Sequence, residues 1–188
     1  MRTPGELVSF NIMDACTPHI YGGQRNIIMF TDHFSGLKKA YLLVKKSGAP
    51  EALEKYLNFC RSHGVIVRRL HRDGAGEFLE SSPPMRDVLK RHDLLGATTT
   101  SAANVHRQNG VAERANRTVQ DGVRTRLIQA NISLGFWWFA LLDTLETDSY
   151  IPLCDSPTER DTSLALLREA AERDARARVW MQGVHLSL

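Results

Sequence analysis

The order of the apolar segments constrains this chain most. Three short apolar runs come first: VSFNIMDA, NIIMFTDH and LKKAYLLVKK, separated by turns at Tyr21-Gly22-Gly23 and Ser35-Gly36. Strands joined by tight turns pair antiparallel. APEALEKYLNFCRSHG then changes the period. Leu53, Tyr56, Leu57 and Cys60 fall at i, i+3, i+4 and i+7, one face of a helix that Pro50 opens and Gly64 closes. The β-branched run VIVRRLHRD follows, then PPMRDVLKRHD as a short helix with two prolines in its first turn, then LLGATTT as a fifth strand. SAANVHRQNG reads as a loop. GVAERANRTVQDGVRTRLIQAN reads as a long helix broken at Asn131-Ile132-Ser133, and FWWFALLDTLETDSYI as an apolar helix. This order predicts an α/β layer architecture with a five-stranded mixed sheet, three strands antiparallel and two parallel, flanked by helices.

Length and composition set the frame. The chain has 188 residues, 43% apolar and 24% charged, enough for one domain with a sizeable core and an appendage. Residues 1–150 carry the pattern. It weakens beyond Pro152, so 151–188 is expected to be a divergent, partly helical tail. No run approaches the ~18 apolar residues of a membrane helix. MRTPGELVSF lacks a secretory pattern. The expectation is an intracellular chain, nuclear or cytoplasmic, without a membrane partner. Cys16, Cys60 and Cys154 are widely spaced and lack zinc-site spacing, so reduced thiols are expected. The first 130 residues hold 19 Lys and Arg against 12 Asp and Glu, and the rest 5 against 9. A basic body with an acidic tail suggests that the body meets a polyanion.

Three acids stand out. Asp14 ends the first predicted strand, Asp73 ends the fourth, and Glu113 falls in the first turn predicted for the long helix. If the first and fourth strands are neighbours, both aspartates emerge at one sheet edge, and a helix passing that edge adds Glu113. Carboxylates gathered there repel unless cations neutralise them, and hard oxygen ligands select Mg²⁺ or Mn²⁺. Two ions ~4 Å apart activate a water or hydroxyl and stabilise the leaving oxygen of a phosphodiester. At 100° per residue Glu113, Arg117, Gln120 and Arg124 form one polar stripe, with Val111, Ala115, Val119 and Gly122 opposite. On periodicity alone, the favoured reading is an exposed stripe with Glu113 and Arg117 as an i,i+4 pair.

The sequence resembles a known family. HRDGAGEF (His71 to Phe78) followed by QNGVAERANRT (Gln108 to Thr118) is similar to the integrase of Ty1/copia-type retrotransposons. MDACTP resembles the segment of that family's first catalytic aspartate, IIMFTDHFSGLKKAYLLVKKS its next two strands, and FWWFALLDT its later Trp-containing helix. The resemblance runs from about Val8 to about Tyr150. It implies a ribonuclease-H-like catalytic core in which Asp14, Asp73 and Glu113 are both catalytic triad and ligands of two Mg²⁺ or Mn²⁺ ions. The implied reaction joins the 3′ ends of element DNA to target DNA by transesterification, without a covalent protein intermediate or a small-molecule cofactor. The implied partners are element and target DNA and further copies of the chain. Nucleic-acid contacts fall on His106, Arg107, Gln108, Asn109, Arg117, Gln120 and Arg124. The chain departs from the family in Gly74-Ala75 after Asp73, in AANVHRQNG, in a 40-position spacing between Asp73 and Glu113, and in Arg126, which points to the buried side of the helix. Two alternatives stand beside the integrase. One is a related nuclease that hydrolyses without joining. The other is a catalytically inactive remnant that only binds nucleic acid.

Other residues have structural readings. Asp32 is a polar residue beside a turn, Glu77 a local cap, and His71 a satisfied histidine. Asn109 is an N-cap candidate, with Gly110 turning the chain into the helix. Of Trp137 and Trp138, one fills the core and the other is free for a dimer contact. Lys38, Lys39, Lys45 and Lys46 read as strand-edge charges.

Overall fold

A computed structural model describes residues 3–14, 26–72, 82–100 and 106–150, with the backbone alone described at 14, 100 and 106–116. The elements are β1 (Val8–Asp14), β2 (Asn26–Asp32), β3 (Lys38–Leu43), α1 (Ala49–Ser62), β4 (Leu70–Arg72), α2 (Pro83–Arg91), β5 (Thr98–Thr100), α3 (His106–Ala130) and α4 (Trp137–Tyr150). They form one five-stranded mixed sheet in the order β3-β2-β1-β4-β5. β1, β2 and β3 are antiparallel neighbours, and β4 and β5 run parallel to β1. Among the described residues, no helix is long and apolar enough to cross a membrane.

Alternation along the strands builds two cores. Val8, Phe10, Ile28, Phe30 and Leu43 face α1 and α2, where Tyr56 stacks on Phe30 with ring centroids 4.3 Å apart. Ile27, Met29 and Ala40 face α3 and α4, against Val119, Leu127, Trp137 and Leu141. Every residue of β2 is buried, as expected of a strand covered on both faces.

The two later strands are shorter than their sequence patterns. In VIVRRLHRD only Leu70–Arg72 joins the ladder. Val65 and Val67 still enter the first core. Nearby, the Arg68 N–H donates to Gly5 O and the Val8 N–H to Arg69 O, so this stretch pairs with the segment leading into β1.

α3 begins at His106, four residues earlier than the sequence suggests. Asn109 and Gly110 therefore lie inside its first turns, and Asn109 is not the N-cap. HRQNG contains no proline, and one glycine costs a helix only about 1 kcal/mol. At the other end Asn131 adopts φ +51°, its N–H donates to Ile128 O, and the Ile132 N–H donates to Leu127 O. This 6→1 and 5→2 pattern is a Schellman stop with Asn in the left-handed position.

Gly122 lets α3 and α4 approach closely, since a Cβ there would sit 2.7 Å from Thr144 Cγ2. Arg126, on the half-buried side of α3, reaches Asp143 of α4 through Nε and Gly122 O through Nη1. Its guanidinium thus meets a carboxylate at the helix seam rather than the core.

Candidate active site

The site is built on the central strand pair. Asp14 is the last residue of β1, opposite Asn26 of β2. β4 lies parallel on the other side of β1, with Leu70 opposite Val8, His71 opposite Ser9 and Arg72 opposite Phe10. β4 ends beside Phe10, and β1 runs on in the same direction through Asn11–Asp14. Asp73 is the next residue after β4 in sequence and lies outside the described residues, as does Glu77. Glu113 is the eighth residue of α3, two turns in rather than in the first, and α3 packs on β1. β1, which ends at Asp14, is thus a neighbour both of β4, whose last residue precedes Asp73, and of α3, which carries Glu113. Among the described residues, no three His, Cys, Asp or Glu side chains group as metal ligands.

The stripe on α3 is present where its side chains are described. Arg117, Gln120 and Arg124 are exposed, Val119 is buried and Gly122 is half-buried. Among the described residues Arg124 makes a 3.6 Å contact with Asp121, both largely exposed, a pair of little energetic weight. His106, Arg107, Gln108 and Asn109 form the first turn of α3 rather than a loop. There the unsatisfied backbone N–H groups of a helix start favour anions.

Several polar residues have structural roles. Asp32 is buried and accepts from the Gly5 N–H (2.9 Å), the Ser35 N–H (2.8 Å) and the Ser35 hydroxyl (2.7 Å), fixing the β2–β3 turn. His71 Nδ1 bonds Thr99 Oγ1 at 2.9 Å, a satisfied histidine. Lys38 pairs with Asp148 of α4, and Lys39 lies 3.9 Å over the Phe59 ring of α1. Burial pulls Lys39 below its ordinary range. Both lysines thus tie the edge strand to the helices beyond acting as edge charges. Trp137 fills the second core, and Trp138 is half-buried. The Cys60 thiol is free and buried, and desolvation pushes it up to about 11, whereas Cys16 and Cys154 lie outside the described residues.

One contact has no sequence signal: Ser9 Oγ meets His33 Nε2 across the start of β1. Burial lowers the His33 pKa, Asp32 opposes the shift and His71 adds to it. Ser9 and His33 are 24 positions apart, and only the β1–β2 register reveals the pair.

No known family model matches the sequence. Over 164 residues the chain is 28% identical to the retrovirus-related Pol polyprotein from transposon TNT 1-94 of Nicotiana tabacum, covering 85% of this chain and 11% of that protein. The chain thus spans about a tenth of its relative's length. In the simian T-cell lymphotropic virus intasome, solved by cryoEM with PP2A regulatory subunit B56 gamma, one chain superposes with a TM-score of 0.65 at 16% identity. That match covers 88% of this chain and 55% of the other. The HTLV-2 integrase catalytic core domain, solved with magnesium, matches with a TM-score of 0.59 in its trimeric form at 16% identity, covering 88% of this chain and 97% of that one. The fold is that of a retroviral integrase catalytic core. The dimeric HTLV-2 form gives the same TM-score of 0.59 at 15% identity. In this integrase-core fold the mixed sheet and its flanking helices are shared, and sequence identity is low throughout.

Proposed function

We propose that this chain is the catalytic core of a retrotransposon integrase, a metal-dependent polynucleotidyl transferase acting on DNA. The observation that carries the reading is topological. β1, ending at Asp14, pairs parallel with β4, whose last residue precedes Asp73, and α3, bearing Glu113, packs on β1. The similarity to a transposon Pol polyprotein and to integrase cores supports it independently.

Asp14, Asp73 and Glu113 would hold two Mg²⁺ or Mn²⁺ ions, and their all-oxygen donor set fits these hard cations. The HTLV-2 core solved with magnesium supports that choice. When bound, such ions lower the pKa of a water or a 3′-hydroxyl and stabilise the leaving oxygen. The chain's own residues position the DNA. Arg117 and Arg124 offer guanidinium forks to phosphates, Gln120 adds a hydrogen bond between them, and His106, Arg107, Gln108 and Asn109 meet the backbone at the start of α3. Residues 1–150 form the core and 151–188 an appendage. The dimeric and trimeric forms of the HTLV-2 core support assembly with further copies of the chain.

The test is product analysis on labelled branched DNA with Mn²⁺. The integrase reading expects a joined product that depends on Glu113. Cleavage without joining would favour a nuclease, and an inert chain whose Glu113→Gln variant behaves identically would favour a remnant that only binds.

A further inference from the structure

Among the described residues β3 is the outermost strand on the β2 side of the sheet. The ladder fixes which way its backbone faces. The Asp32 N–H donates to Leu37 O, and the His33 N–H donates to Leu7 O. Even-numbered residues of β2 therefore bond to β3, and odd-numbered ones to β1. Phe30 lies opposite Lys39, Ile28 opposite Tyr41 and Asn26 opposite Leu43, so these three β3 residues turn their backbone groups inward. Ala40, Leu42 and, just past the strand, Val44 turn theirs outward, where no further strand among the described residues takes them. All three line a groove of about 500 Å³ that runs along this edge. Trp138 of α4 walls one side of it, and Glu51 and Lys55 of α1 wall the other. Side chains follow the same alternation. Ala40 and Leu42 pack toward the α3–α4 core and Leu43 toward the α1 core. The backbone stays extended through Lys45 (φ −136°, ψ 151°), which by that alternation shares the α1 side with Lys55. Charge decides between occupants. A second copy of β3 centred on Leu42, the register that pairs all three outward residues, would set Lys38 and Lys39 against Lys46 and Lys45. Like charges directly opposite are destabilising, and edge lysines block such pairing. On the α1 side Lys45 and Lys55 outnumber Glu51, and all three are exposed. An acidic strand fits where a second copy does not.

We propose that the edge of β3 takes up an extended segment of another protein, alternating apolar and acidic residues, as a further antiparallel strand. Its residues opposite Ala40, Leu42 and Val44 exchange backbone N–H and C=O bonds with them, and their apolar side chains point toward Trp138. The residues between them point carboxylates at Lys45 and Lys55. Main-chain bonds supply the affinity of such strand addition, and the two unlike walls supply the specificity. The surface lies two strands from β1, and the proposal does not depend on the catalytic reading.

The probe is a short fluorescein-labelled peptide of alternating valine and glutamate, followed by fluorescence anisotropy as the whole chain is added. Saturable binding is expected. The same peptide with lysine in place of glutamate should not bind. In antiparallel pairing the valines carry the bonded N–H groups, so N-methylating the valines should abolish binding and N-methylating the glutamates should spare it. Lys45→Glu combined with Lys55→Glu, both exposed changes, should weaken the glutamate peptide at least 10-fold. An unchanged anisotropy at millimolar concentration, equal binding of the lysine peptide, or binding indifferent to valine N-methylation each overturns the proposal. So does a dimer in sedimentation that Lys45→Glu strengthens, since a second copy would then hold the edge.

Discussion

Gly122→Ala separates a packed α3–α4 pair from a loosely associated one by the sign of its effect. In an exposed helix, replacing glycine by alanine stabilises by about 1 kcal/mol. Here the new Cβ would lie 2.7 Å from Thr144 Cγ2 and 3.4 Å from Arg126 Nη1. Carbon contacts settle at about 3.5–4.0 Å, so the methyl is roughly 0.8 Å too close. Arg126 can swing away, but Thr144 cannot. It is 2% exposed, and its hydroxyl donates to Ala140 O at 2.6 Å. Overpacking of this kind costs about 1–3 kcal/mol, which outweighs the helix gain and leaves a net loss of about 1 kcal/mol. Urea unfolding would show a lower midpoint with an unchanged slope. Thr144→Ser removes Cγ2 and keeps the hydroxyl, so Gly122→Ala should turn stabilising in that background. The double-mutant coupling should then reach about 1–3 kcal/mol. A raised midpoint for Gly122→Ala alone would refute the helix contact on which α3's placement rests.

Two further outcomes follow from buried Asp32 and half-buried His33 at the end of β2. Asp32→Asn replaces a carboxylate oxygen with an amide facing the two Ser35 donors, so it should cost about 1–3 kcal/mol for each donor left unpaired, read as a lower urea midpoint. A midpoint unchanged within error would contradict the turn-fixing role. His33 is held below its ordinary 6.5 by burial, so the unfolded chain takes up a proton that the folded chain resists. Stability is therefore retained above about pH 6.5 and falls as the pH drops below it. His33→Gln should lessen that fall in urea titrations between pH 7 and 5, and parallel pH profiles for the two chains would argue against it.

Periodicity made much of this fold legible. The extents of β1 and β2 follow from their apolar runs, and those of α1 and α2 from an i, i+3, i+4 stripe and prolines at helix starts, because burial on two faces or on one dictates those patterns. β4 was legible only in part. Val65 and Val67 carry a strand signature because they are buried, but their backbone neighbours belong to the segment before β1, and pairing is a tertiary fact. The start of α3 was hidden because Asn and Gly are stop or cap residues locally, while packing of α3 on β1 and α4 supplies the stabilisation that carries the helix through them. The stripe of Arg117, Gln120 and Arg124 was readable, since a polar helical face needs only its own sequence. Lys39 over Phe59, Ser9 against His33 and Arg126 against Asp143 were not, since each partner comes from another element. For the proposed acids, only the residue types were legible, and the parallel β1–β4 pairing brings the end of β4, one residue before Asp73, beside the strand that ends at Asp14.

The most direct measurement is Mn²⁺ binding by electron paramagnetic resonance, on the wild-type chain and on Asp14→Asn, Asp73→Asn and Glu113→Gln, with circular dichroism confirming each fold. Three acids sharing one cluster should take up two ions in the wild type, and each single substitution should lose at least one of them. Full Mn²⁺ uptake by a folded Glu113→Gln chain would show that α3 contributes no ligand, and the shared site would be wrong.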